Sequence, residues 1–152
     1  MCIRDRDYAF EFVADNHPLM KEADYPYTAH SSHFTKCKYV ESKGVGHVKS
    51  HRDVPERNLS QMKAALQNGP VSVAIEADKS VFQSYRSGVI TSSLCGKKLD
   101  HGVLAVGHGT EDGKEYILVK NSWGASWGEK GYVKIGANDV CGILDQPSYP
   151  TE

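Results

Sequence analysis

Two apolar segments joined by a short polar turn constrain this chain more than any other feature. Gly102–Gly109 reads Gly-Val-Leu-Ala-Val-Gly-His-Gly, and Tyr116–Val119 reads Tyr-Ile-Leu-Val. An apolar run without polar alternation suits a strand buried on both faces. Gly109-Thr110-Glu111-Asp112-Gly113 between them carries the glycine and Asp-Gly chemistry of a hairpin loop. The pair is expected at the buried centre of a sheet.

Neighbouring segments supply the rest. Val71, Val73 and Ile75 alternate with other residues, which turns one face of a strand toward a core, and Gly131–Gly136 is a further short strand. Asn58 with Gln61 three residues on forms a capping-box start for a helix. Its apolar face is Leu59, Met62, Ala65 and Leu66, and Asn68-Gly69-Pro70 ends it. Residues 17–43 are rich in turn formers and read as long surface loops. Asp7 is placed to cap an earlier helix whose Tyr8, Ala9, Phe12 and Val13 fall on one stripe. The fold class expected is α+β, mostly antiparallel β, with helical and loop material ahead of it. Met1–Arg6 has no apolar core of a secretory signal. The chain opens on a helix with no preceding element to pack against, so it reads as one missing its beginning. The alternative is a domain that simply starts with a helix. Ser148–Glu152 reads as a natural stop.

A length of 152 residues suits about one domain. A net charge of −1 argues against a nucleic-acid binder resting on positive charge. No apolar run approaches the roughly 20 residues of a membrane span. Seven histidines make the charge pH-sensitive, because protonating all of them adds seven positive charges to a net of −1.

The chemistry concentrates on His101 and Asn121. Each lies ten residues from Glu111, so a turn near Glu111–Asp112 brings them to the same end of the hairpin. An imidazole held at one nitrogen by a side-chain amide oxygen has its tautomer and ring plane fixed, as a general base paired with a nucleophile requires. Trp123 is placed to shield that bond from water. Taken alone, His101 reads first as a satisfied histidine at a strand end, and Trp123 as ordinary packing; with Asn121 and the glycines flanking both strands the balance changes.

Leu99-Asp100-His101-Gly102-Val103-Leu104-Ala105-Val106-Gly107 and Lys120-Asn121-Ser122-Trp123-Gly124-Ala125-Ser126-Trp127-Gly128-Glu129-Lys130-Gly131-Tyr132 resemble the histidine and asparagine blocks of papain-like cysteine peptidases. Tyr25-Pro26-Tyr27, Gly69–Ala74 and Cys141-Gly142-Ile143 resemble the same family, closest to its cathepsin L group. The resemblance implies a truncated papain-like fold. Residues 1–6 would be a foreign prefix and 7–50 the remnant of a helical left domain. Residues 51–147 would form a β-barrel-like right domain, and 148–152 a tail. It also implies a thiolate–imidazolium mechanism without cofactor or metal, in which His101 is the base and Asn121 orients it. Trp123, Trp127 and Asp100 support the pair, Asp100 through its charge. Cys95 and Cys141 would form a disulfide. Ala74, Leu99, Gly102 and Gln146 would wall the S2 pocket, which takes an aliphatic or aromatic side chain.

None of the four cysteines suits the nucleophile. Family spacing places it about 30 residues ahead of Met1, and Cys2 is followed by Ile3-Arg4-Asp5 where the family has Cys-Gly-Ser-Cys-Trp. The chain is expected to be an inactive C-terminal fragment. Its partners would be polypeptide substrates, protein inhibitors and the missing N-terminal half. Its compartment would be the lysosome, the vacuole or the extracellular space. Cys37 would be left without its partner. A carbohydrate- or peptide-binding β module would leave the joint His101 and Asn121 blocks unexplained, and two further rivals stand beside this reading. One is a non-catalytic homologue that binds without cleaving. The other is a metal site at His30, His33 and Cys37, which lacks an evident fourth ligand.

Overall fold

The computed structural model describes residues 5–27 and 36–152, so His30 and His33 lie outside the described residues. The chain divides into two compact units. One is Asp7–His51 with Pro150–Glu152; the other is Arg52–Tyr149 with the short segment ending at Arg6.

In the first unit, helix α1 (Asp5–Ala14) begins two residues before Asp7. Asp7 thus lies in the first turn, where its charge faces the positive end of the helix dipole. The expected stripe is not a buried one. Val13 is buried, whereas Tyr8 and Phe12 are 65% and 55% exposed. Phe12 instead stacks on the His17 ring at 4.1 Å between centroids. The looped region contains a small antiparallel ribbon of β1 (Leu19–Met20) and β2 (Gly44–Gly46). Cys37 is a free, exposed thiol.

The larger unit is built on a seven-stranded sheet. After β3 (Ser50–Asp53), helix α2 (Leu59–Asn68) starts at Asn58, whose side chain accepts the Gln61 N–H at 3.1 Å. Met62 and Ala65 are buried, and Leu59 and Leu66 pack against the core, as the spacing predicts. Then come β4 (Val71–Ile75), a single helical turn α3 (Ser80–Gln83) and β5 (Val89–Ile90). The remaining strands are β6 (His101–Glu111), β7 (Lys114–Lys120), β8 (Tyr132–Gly136) and β9 (Ser148–Thr151). The order across the sheet is β3-β9-β4-β6-β7-β8-β5, which puts β6 at the centre. Among the described residues, no helix is long and apolar enough to cross a membrane.

The central hairpin turns more tightly than the glycine pattern suggests. Glu111 pairs with Lys114, leaving Asp112-Gly113 as a two-residue turn with φ of 50° and 73°. Two positive φ values are the type I′ geometry that matches strand twist. A bulge lies between Ala105 and Gly107. It shifts the alternation of β6, and His108 beyond it is exposed whereas His101, Val103 and Ala105 are buried. Distance along the strand, at about 3.3 Å per residue, still keeps His108 from reaching His101.

Candidate active site

His101 is the first residue of β6 and pairs with Ile75, the last residue of β4. Asn121 follows the last residue of β7, and Leu104 pairs with Lys120 at that end. Continuing this register sets Asn121 level with Val103 and makes it a diagonal neighbour of His101, within reach of a side chain.

The contact forms. His101 Nε2 lies 2.8 Å from Asn121 Oδ1, and each residue is 8% exposed. The backbone N–H of Ser122 donates to the same Oδ1 at 2.8 Å. An atom that accepts from a backbone amide must be the carbonyl oxygen, so Nε2 is the donor. The proton of the neutral ring is therefore on Nε2, and Nδ1 keeps its lone pair. This is the protonation pattern of a poised base.

Aromatic rings close over the pair. The Trp123 indole lies 5.3 Å from the His101 ring at 30°, partly stacked, and is 40% exposed. Trp127 meets Trp123 edge-on, and its Nε1–H donates to the Gln83 carbonyl at 3.0 Å. The loop carrying both tryptophans is tied down by backbone bonds: Asn121 N–H donates to Gly131 O at 2.9 Å and Gly131 N–H to Trp127 O at 2.8 Å. Glu129 in the same loop accepts from Tyr85 Oη–H at 2.9 Å and from Gly88 N–H at 3.0 Å. Burial, reinforced by the Glu129 hydrogen bond, pushes the Tyr85 phenol up to about 12. Lys134 salt-bridges Glu129 and Glu111, and these bonds hold its ammonium well above the usual lysine range.

Asp100 is a fastener beside His101. Its Oδ1 accepts the Ala77 N–H at 2.7 Å, and its own N–H donates to Ile75 O at 3.0 Å. Cys95 and Cys141 are joined, with 4.8 Å between their Cα atoms. Of the four expected pocket residues, Ala74 and Gly102 are direct cross-strand partners. Leu99 leans against Gly142, near the turn that leads to Gln146. Arg6, set aside with the first six residues on sequence grounds, lies along this strip. Its guanidinium donates to Gln146 O at 2.8 Å and Ser72 Oγ at 3.3 Å, and its Cδ passes over Gly102. A separate open groove of about 540 Å³ lies at the hairpin tip, lined by Ser92, Lys97, Lys114 and Asn138, away from His101.

Sequence reasoning missed Ser122 and Phe82. Ser122 stands out in the sequence only as part of the Asn121-Ser122-Trp123 motif, although an amide one residue past Asn121 is a natural second donor to its side chain. Phe82 is fully buried in a one-turn helix too short to show periodicity, and it touches both tryptophans.

Residues 5–151 match the profile of the papain family cysteine proteases. "Probable cysteine protease RD21B" of Arabidopsis thaliana is 48% identical over 149 residues, which make up 95% of this chain and 32% of that protein. "Senescence-specific cysteine protease SAG39" of Oryza sativa subsp. indica is 43% identical over 151 residues, 95% of this chain and 43% of that protein. The bromelain protease of Ananas comosus, solved with the E64 inhibitor, superposes with a TM-score of 0.82 at 37% identity, covering 95% of this chain and 68% of that one. Digestive procathepsin L 3 of the Tenebrio molitor larval midgut gives 0.86 at 34% identity, with 96% and 48% covered. The chain thus spans less than half the length of these two plant relatives.

Proposed function

Because this chain belongs to the papain family of cysteine proteases, we propose that it carries the base half of a peptide-bond-cleaving site, with His101 as base and Asn121 as its orienter. The observation that carries this reading is the shared Oδ1 of Asn121. It takes both the His101 Nε2–H and the Ser122 N–H, which leaves Nδ1 free to act.

Nδ1 would take the proton of a cysteine thiol. The resulting thiolate attacks the scissile carbonyl carbon, and the imidazolium returns the proton to the departing amine nitrogen. Water activated by the same nitrogen then releases the acyl group from sulfur. Two of the four cysteines are spent in the Cys95–Cys141 disulfide. Neither Cys2 nor Cys37 has the sequence context of the nucleophile, so we place the attacking sulfur and the oxyanion donor outside this chain. The 152 residues alone are then inactive.

The substrates are polypeptides. Ala74, Leu99 and Gly102 favour an aliphatic or aromatic side chain, and the methylene stem of Arg6 extends that apolar wall. The disulfide suits an oxidising setting, which supports a lysosomal, vacuolar or extracellular location and encounters with protein inhibitors there.

The test is covalent labelling by an epoxide inhibitor of a version extended at its N-terminus to the length of the relatives. Labelling that His101→Ala abolishes is the expected result. Labelling of the 152-residue chain by itself would overturn the division of the site. A marked preference for acidic P2 residues would overturn the apolar pocket and point to the Arg6 guanidinium.

A further inference from the structure

Glu76 directly follows Ile75, the cross-strand partner of His101, yet no step of the chemistry uses it. It is 2% exposed, which is costly for a carboxylate unless every oxygen is satisfied. Both are. Oε2 accepts the Lys98 backbone N–H at 2.6 Å, and Oε1 meets Lys79 Nζ at 2.9 Å. These bonds, the Lys98 amide first, hold the carboxyl below its ordinary value of 4.5. The backbone closes tightly around it. Gly96 has φ of 65°, and a Cβ there would fall 2.1 Å from Oε2. The segment around the carboxylate is Gly96–Asp100, the run that delivers His101 into β6.

We propose that Glu76 is a positioning residue for His101, acting through the Lys98 amide. The inference rests on His101 being the base. A strand's first residue is the one most prone to fray. Here the approach to it is fastened to the end of β4 in both directions. The Glu76 side chain grips the Lys98 backbone, and the Asp100 side chain grips the Ala77 backbone. With Asn121 fixed on the neighbouring strand, the Nε2–Oδ1 distance depends on where this segment holds the His101 backbone. Small displacements of a catalytic group cost disproportionately in rate.

The full chain, labelled uniformly with ¹⁵N, tests this by NMR. Wild type should show one His101 tautomer with a slowly exchanging Nε2–H, and a Lys98 amide as protected as those of β6. Glu76→Met preserves volume but removes the acceptor. It should speed exchange of that Nε2–H about tenfold and populate the second tautomer. Glu76→Gln keeps an oxygen for the amide and should restore most of the wild-type signal. An unchanged His101 signal in folded Glu76→Met would overturn the proposal, as would equal loss in both variants. An unprotected Lys98 amide in wild type would also overturn it, whether or not the variants fold. Absence of the Nε2–H tautomer in wild type would instead sink the reading of His101 as base.

Discussion

The Phe82 ring meets the Trp123 indole edge to face, 5.4 Å between centroids and 83° between planes. Phe82 is fully buried and Trp123 is not, so a core residue props up the lid over the His101–Asn121 bond. Phe82→Ala should cost about 3–5 kcal/mol of stability. Trp123→Ala should cost only about 1–2 kcal/mol, because part of its ring is already wet. Urea midpoints separate the two. Trp123→Ala should nonetheless accelerate solvent exchange of the His101 Nε2–H, because a hydrogen bond exposed to water loses to competition.

Removing the amide acts on the same bond from the other side. Asn121→Ala leaves the His101 Nε2–H and the Ser122 N–H without their shared acceptor, and each lost bond is worth about 1 kcal/mol. In the N-terminally extended protein, kcat/KM should fall roughly tenfold or more while KM changes little, since orientation and not substrate contact is lost. A variant with full kcat would contradict the assigned role.

The Cys95–Cys141 bridge closes a loop with a sequence separation of 46. Chain-entropy arithmetic assigns such a loop about 4 kcal/mol of stabilisation. Cys95→Ser with Cys141→Ser should lower the urea midpoint accordingly. Non-reducing peptide mapping of wild type should recover the two cysteines in one cross-linked fragment.

Alkaline stability should respond to Tyr85. Its phenol titrates at about 12 in the folded chain against an ordinary 10, so the folded state retains a proton that the unfolded state has lost. The contribution is whole below pH 10 and drains away between pH 10 and 12. Tyr85→Phe should be about 1 kcal/mol less stable at neutral pH, having lost the hydroxyl's bonds to Gly88 O and Glu129. Between pH 10 and 12 it should lose less than wild type. Parallel curves for the two proteins would disprove the assignment.

Some of this was readable from residue order. The β6 and β7 segments declare themselves as strands, but the expectation of burial on both faces fails for β6: His101, Val103 and Ala105 are buried while Leu104 between them is 37% exposed. Asn58 with Gln61 declares the start of α2 because capping is local. His101 and Asn121 could be placed at one end of the hairpin by counting from the turn. The bulge at Ala105–Gly107 could not be foreseen, since nothing in Val106-Gly107 distinguishes a bulge from a straight strand. Glu76 escaped for a different reason. Its partner amide is 22 residues away, and a glutamate after a buried strand looks like any solvated end. The stripe on α1 misled because Tyr8 and Phe12 are amphipathic or aromatic enough to suggest a core, yet both remain open to solvent.

The cystine reaches from just before the strand that bears the imidazole to just after the strand beyond the carboxamide, so His101 and Asn121 both sit within one covalent ring. A nick at the exposed tip between Asp112 and Gly113 would divide the polypeptide without parting its pieces. A clipped, two-chain form joined through sulfur should therefore keep histidine and asparagine together, and only a reductant would let them go.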